Sequence, residues 1–227
     1  WPAAWSQDNI ANIFDLDVLI ANPNDVTAPV KVTFLQANKP AIEKTMTLPA
    51  KSRHTIRVND EPELSNAEVS TVVTSTSGLP LVVERSMFWS KSDYYSSHGG
   101  TAVSAPATRW YFAEGSQGFF DTYVLLANSS AGAANVQVDF LTEFDGVVTK
   151  DYVVDPESRF NVFAGLIPEL VNKSFSLVVR SDVPIIAERA MYFGVVPMWV
   201  GGHESAGVSS LSNTWFHAEG ATGSYFD

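Results

Sequence analysis

Residues 14–23 read FDLDVLIANP and residues 120–129 read FDTYVLLANS. Within the first string Phe14, Leu16, Val18 and Ile20 alternate with Asp15, Asp17 and Leu19, a period of two that predicts a strand with one apolar face. The second string repeats the pattern 106 residues later, and the register holds on both sides. KVTFL from Lys31 falls on QVDFL from Gln137, PELSN from Pro62 on PELVN from Pro168, and STVVTS from Ser70 on SLVVRS from Ser176. From Phe14 to Ser75 the gapless offset gives 22 identities in 62 positions, where unrelated chains of ordinary composition give roughly 4. After a two-residue shortening, LPLVVERSMFW from Leu79 answers VPIIAERAMYF from Val183.

A unit of about this length is too long for a solenoid repeat of about 20 to 45 residues and long enough to bury its own core. Alternating apolar runs are punctuated by turn chemistry: NPND at Asn22, NKP at Asn38, the Asp145-Gly146 pair, and PELSN as one helical turn. The expectation is an all-β chain: two tandem antiparallel immunoglobulin-like β-sandwich domains, over residues 1–108 and 109–213, with residues 214–227 opening a third unit.

The junctions carry a phrase of their own. RWYFAEG from Arg109 returns as TWFHAEG from Thr214. Its recurrence at the period of the units predicts a coupling element at each boundary, with Trp110, Phe112, Glu114, Trp215 and Glu219 as the inter-domain seam. The first boundary, WPAAWSQDNIANIFD, keeps Trp and the FD but lacks AEG. The chain opens at Trp1 rather than Met, which reads as a mature product or a fragment of a longer array.

Composition bounds the partners. The 227 residues are 45% hydrophobic and 17% charged, with 14 Lys plus Arg against 25 Asp plus Glu, a net charge of −11. Such a chain repels phosphate backbones and anionic bilayers, so neither nucleic acid nor membrane insertion is expected. No segment approaches the roughly 20 apolar residues of a spanning helix. With no cysteine, disulfides, thiolate metal sites and cysteine nucleophiles are excluded.

Charged residues inside apolar strings are candidates for chemistry. Glu84-Arg85 and Glu188-Arg189 lie within predicted strands, where neighbours point to opposite faces. The expected role is structural: one residue of each pair in a buried ion pair, with Arg53, Arg159 or Glu114 as partner. No pair of carboxylates is marked as flanking a glycosidic bond, and no triad order or phosphate loop occurs. The histidines lack metal spacing; Phe160 stands opposite His54 and Phe112 opposite His217 in the alignment, which predicts packed aromatic positions, while His98 and His203 sit beside glycine pairs expected in exposed loops. No cofactor is expected. Calcium is the one metal that Asp8, Asp15, Asp17, Asn22 and Asp25 would suit, although Tyr123 and Ala131 replace Asp17 and Asp25 in the second copy. Trp89, Tyr94, Tyr95 and Trp199 could stack on sugar rings, which makes them the candidate glycan contacts.

On the phrase W-[YF]-F-A-E-G, carried by Trp110 to Gly115, on the ANP at Ala21 and on the two ERxM strings, the chain resembles the tandem domains of bacterial secreted and cell-surface proteins. The resemblance covers nearly the whole chain. It implies immunoglobulin-type sandwiches in arrays and no enzymatic activity. The resulting expectation is a non-enzymatic extracellular structural or adhesive protein, a rod, surface array or filament built through its seams and by strand exchange, with other repeats as partners. The alternative is a carbohydrate-binding module of a larger secreted protein.

Overall fold

In the computed structural model, residues 14–91, 94–195 and 198–223 are described. They form antiparallel sheets and a few 3-10 turns. The N-terminal half holds β1 (Phe14–Asn22), β2 (Ala28–Gln36), β3 (Lys39–Leu48), β4 (Ser52–Arg57), β5 (Ser70–Ser75), β6 (Val82–Lys91) and β7 (Tyr94–Thr101). The C-terminal half holds β8 (Ala107–Phe112), β9 (Phe120–Asn128), β10 (Ala134–Thr142), β11 (Val147–Val154), β12 (Ser158–Phe163), β13 (Phe175–Val195) and β14 (Met198–Ala206).

In the N-terminal half the strand orders are β4-β1-β6-β7 and β3-β2-β5. Val18 and Ile20 of β1, Val30, Val32 and Phe34 of β2 and Ile56 of β4 bury into one apolar cluster, as the period of two requires. The C-terminal half places Val124 and Leu126 of β9, Val136, Val138 and Phe140 of β10 and Val162 of β12 in the corresponding cluster.

Among the described residues the halves differ at the connection that follows β5. In the first, β5 and β6 are separate strands joined through Thr76 to Leu81, where Gly78 takes a φ of 77°. In the second, the shortened sequence lets β13 run through 21 residues. Its first part pairs with β10 and β8 and its second part with β9 and β14, with the register shifting between Arg180 and Ile185. One strand therefore serves two sheets.

Local chemistry recurs with the sequence. Asn22 is buried, and its Nδ2 donates to the carbonyls of Val26, Leu48 and Pro49 at 2.9, 3.3 and 2.8 Å. Asn128 donates to those of Gly132, Val154 and Asp155 at 2.8, 3.1 and 3.1 Å. In both, the side-chain oxygen accepts the backbone N–H two residues on, Asn24 and Ser130. A buried amide that satisfies three carbonyls locks the end of one strand to two turns. Lys51 and Glu157, also 106 residues apart, both take a positive φ, 49° and 48°, in the turn before β4 and β12. The Asp145-Gly146 hairpin is present, with Gly146 at a φ of 82°, and PEL at Pro168 forms a 3-10 turn.

Candidate functional site

The halves meet along β2, β3, β6 and β7 on one side and β9, β12, β13 and β14 on the other. Trp89, Tyr123, Ala190, Tyr192 and Trp199 form a buried cluster, with Phe14, Met87, Leu125 and Phe163 packed around it. Tyr192 stacks on Trp199 at 4.6 Å and meets Trp89 edge-on at 5.6 Å. Polar tips are satisfied across the contact: Trp89 Nε1 donates to the Trp199 carbonyl at 2.7 Å, and His98 Nε2 lies 3.1 Å from the Tyr192 hydroxyl. Trp199 Nε1 donates to Asp121 at 2.9 Å. Rings of this size supply most of the apolar area of such a contact, and their polar tips fix its register.

Two ionic clusters flank the rings. Arg85 of β6 donates to Glu188 at 2.7 Å and reaches Glu204 at 2.6 Å; the Glu204 side chain is only 2% exposed. Two carboxylates thus converge on one guanidinium. Burial, opposed by Arg85 and reinforced by the neighbouring Glu188 charge, pushes the Glu204 carboxyl up to about 7. Burial also depresses His98 to about 4, helped by the charges of Arg85 and His203, so this imidazole is neutral at physiological pH. The second cluster centres on Arg159 of β12. It pairs with Glu68 at 2.5 Å and donates to Asn161 at 2.6 Å, and Asn161 donates to the same Glu68 oxygen. Beside it, Ser158 donates to the Gln36 carbonyl.

The glycine pairs beside the histidines lie in β7 and β14, not in exposed loops. The reason is clearance. A Cβ on Gly100 would meet Glu204 Oε2 at 2.5 Å, one on Gly202 would meet the Tyr192 ring at 2.7 Å, and one on Gly201 the Phe193 ring at 2.3 Å. Glycine is the residue that lets a side chain lie flat on a strand.

The remaining sequence candidates divide sharply. Trp110 and Phe112 sit on β8 inside the core of the C-terminal half, and Trp110 Nε1 donates to the Ile185 carbonyl at 2.9 Å. The contact between the halves is made by other residues. Glu114 lies 3.2 Å from Arg189, which also takes the Glu114 carbonyl and Ser205 as partners; Arg189 therefore stays within its own half while Arg85 crosses over. Trp215 and Glu219 are exposed and in no strand. Glu84 and Arg53 are exposed. Trp89 and Trp199, the candidate sugar platforms, are buried at 5% and 7% exposure; Tyr95 is fully accessible, and the side chain of Tyr94 lies outside the described residues.

His54 and His217 are exposed rather than packed: His54 pairs with Ile20 on the core-side face of β4, but β4 is the border strand of its sheet and leaves that side chain open, and His217 lies in no strand. Of the calcium donors, Asn22 is spent on three carbonyls, Asp15 pairs with Arg57 and Asp25 with Lys51, and Asp8 lies outside the described residues, as do the terminal SYFD and the opening thirteen residues. Among the described residues no group of three His, Asp or Glu is arranged to hold a metal ion, and no helix is long and apolar enough to cross a membrane.

Sequence reasoning missed three residues that build this contact. Glu68, Glu204 and Gly100 carry no motif of their own; for Gly100 and Glu204 the signal is the glycine pair beside each histidine, which marks strands packed closely against a neighbour, and Glu68 has no such signal.

No family model matches the chain, and no curated protein does. Among solved structures, a crystal structure of Thermotoga maritima 1070 is similar with a TM-score of 0.42 and 16% identity, over 46% of this chain and 96% of that one. The Anabaena sensory rhodopsin transducer is similar with a TM-score of 0.34 and 22% identity, over 39% of this chain and 86% of its own.

Proposed function

We propose that the chain is a pair of tandem immunoglobulin-like β-sandwiches from a non-enzymatic, extracellular structural or adhesive protein of a bacterial surface, whose work is to hold successive units at a fixed angle in a rod or array. The observation that carries this reading is the contact between the halves. Buried rings from both sides, crossed by the Arg85 and Arg159 ion pairs, resist the relative motion that is the default for linked domains. The duplicated Asn22 and Asn128 clips support two units of one design. Acidic, cysteine-free composition and the resemblance of the WYFAEG phrase support the extracellular placement. Glycan binding is the weaker reading, since two of its four residues lie inside the contact.

The test is rigidity in solution. Residual dipolar couplings from both halves should fit one alignment tensor, and the Trp89→Ala/Arg85→Ala double variant should need two. Independent tumbling of the halves in the unaltered chain would refute the reading.

A further inference from the structure

The contact between the halves is one-sided. In the N-terminal half Phe14, Met87 and Trp89 lie on the same sheet face as Val18 and Ile20, by the register Phe14↔Trp89, Leu16↔Met87 and Val18↔Arg85. They extend the inner, core-lining face. In the C-terminal half the contact uses Tyr123, Ala190 and Tyr192, paired Ala190↔Tyr123 and alternating with Val124 and Ala187 of the core. That is the outer face. A contact between unlike faces of two similar units does not close on itself, so each unit keeps its own copy of the face the other has used.

Both copies lie among the described residues. Phe120 pairs with Phe193 and Met191 with His203, as Phe14 pairs with Trp89 and Met87 with His98. Phe193 stacks on Phe119 at 5.8 Å, Phe119 meets Phe120 at 4.9 Å, and His203 lies 6.3 Å from Phe120. Trp89 is buried by the other half, whereas Phe120 and Phe193, at the places of Phe14 and Trp89, are half-buried beneath Phe119, which is itself 73% exposed. Among the described residues the other half does not reach this aromatic end. On the N-terminal half's outer face, Phe88 stands where Tyr192 stands, one residue after the ERxM methionine. Tyr95 stands where Trp199 stands, since Ser90↔Tyr95 matches Gly194↔Trp199. They are 43% and 88% exposed, and Glu84 occupies the place of Glu188.

We propose that the aromatic end of the C-terminal half, Phe119, Phe120 and Phe193, receives the Phe88 and Tyr95 face of a second copy of this chain, repeating the internal contact head to tail. The occupant follows from the internal contact, in which Tyr192 and Trp199, at the places of Phe88 and Tyr95, meet the inner end of the other half. Four differences make the new contact weaker than the internal one. Arg189 is already held by Glu114, Gly99 stands in the place of Glu204, and Asp17 and Arg57 stand in the places of Tyr123 and Phe163, so its strength comes from the rings of Phe88 and Tyr95. The proposal rests on the tandem-unit reading above. Rigidity of the internal contact, measured on the monomeric variants below, tests that reading separately.

Sedimentation velocity on the full chain, over a concentration series, decides it. The unaltered chain is expected to grow past the dimer with concentration, because the contact does not close. Phe119→Lys/Phe193→Lys removes the receiving end and Phe88→Lys/Tyr95→Lys the inserted face, so each variant alone should sediment as a monomer. Mixed, the two should give a one-to-one pair and nothing larger, since one working copy of each face remains. Melting curves matched to the unaltered chain check that both variants fold; Tyr95→Lys alone, at the more exposed position, serves if the double variant does not. An unaltered chain that stays monomeric at all concentrations overturns the proposal and leaves the aromatic end to a different partner. Variants that still associate alone, or a mixture without the pair, overturn it as well.

Discussion

Residues 108–115 read TRWYFAEG and residues 213–220 read NTWFHAEG, yet the two stretches lead different lives. The first enters β8, pairs with β13 and buries Trp110 to 2% exposure; the second stays out of any strand, with Trp215 at 55% and Phe216 at 91%. The chemistry of the phrase is the same. What differs is the availability of a sheet edge with an apolar cavity behind it: β13 offers Val179 opposite Trp110 and the Ile185 carbonyl to its indole. A strand-forming string is a strand only where neighbours satisfy its backbone and cover its apolar face.

That contrast is broken most directly by truncating both tryptophans. Trp110→Ala is expected to cost about 4 kcal/mol, a cavity in a well-packed core, and Trp215→Ala less than about 0.5 kcal/mol, the ordinary cost of a surface change. Chemical denaturation of the two variants measures both. Equal losses would mean that Trp215 finds a burial site in solution that the described residues do not supply.

The carboxylate of the phrase sharpens the comparison. Glu114 neutralises Arg189, whereas Arg85, at the same place in its own ERxM string, is neutralised by Glu188 and Glu204 of the other half. Removing Arg85 strands two carboxylates, one of them almost wholly buried, and Arg85→Ala should destabilise the chain by about 3 kcal/mol. Arg189→Ala leaves a Glu114 side chain that is 56% exposed and can hydrate, so about 1 kcal/mol is expected. The readout that separates them is the coupling of the halves, since Arg85→Ala should split a single unfolding transition into two and Arg189→Ala should not.

The all-β class was legible because its signals are local. Strand alternation at Phe14 to Ile20 and the Asp145-Gly146 turn need no knowledge of distant residues, and they led to antiparallel sheets. The roles of single polar residues were not legible in the same way. Asn22 has the composition of a turn or calcium residue, but its amide is committed to carbonyls 26 and 27 residues away. Trp89 and Trp199, aromatic and close to serines and glycines, matched a sugar platform. Only the register of β6 with β7 and of β13 with β14 turns them towards each other. The phrase at Trp110 was read as the coupling between units because it lies between them in sequence. In space Trp110 and Phe112 lie in the core of the C-terminal half, and the halves meet through strands whose contact no sequence offset displays.

The effect that pH alone reveals lies in the titration of that coupling. Glu204 is raised from its ordinary 4.5 to about 7 and faces Arg85, Glu188 and Arg189. The folded state therefore holds a proton that the unfolded state has lost, and stability from this group is full below about pH 4.5 and lost as pH rises through about 7. His98, lowered from 6.5 to about 4, acts in the opposite sense: its contribution is full above about pH 6.5 and lost as pH falls through about 4. His203, also lowered by burial and by Arg189, adds to the histidine side. Between about pH 4.5 and 6.5 the two slopes oppose each other, and the unaltered chain should be nearly flat there. Glu204→Gln removes the falling slope, so denaturation midpoints of this variant should climb with pH across the same window while those of the unaltered chain stay level. Parallel profiles would show that Glu204 is ionised throughout, held by Arg85 in spite of its burial and of the second carboxylate beside it.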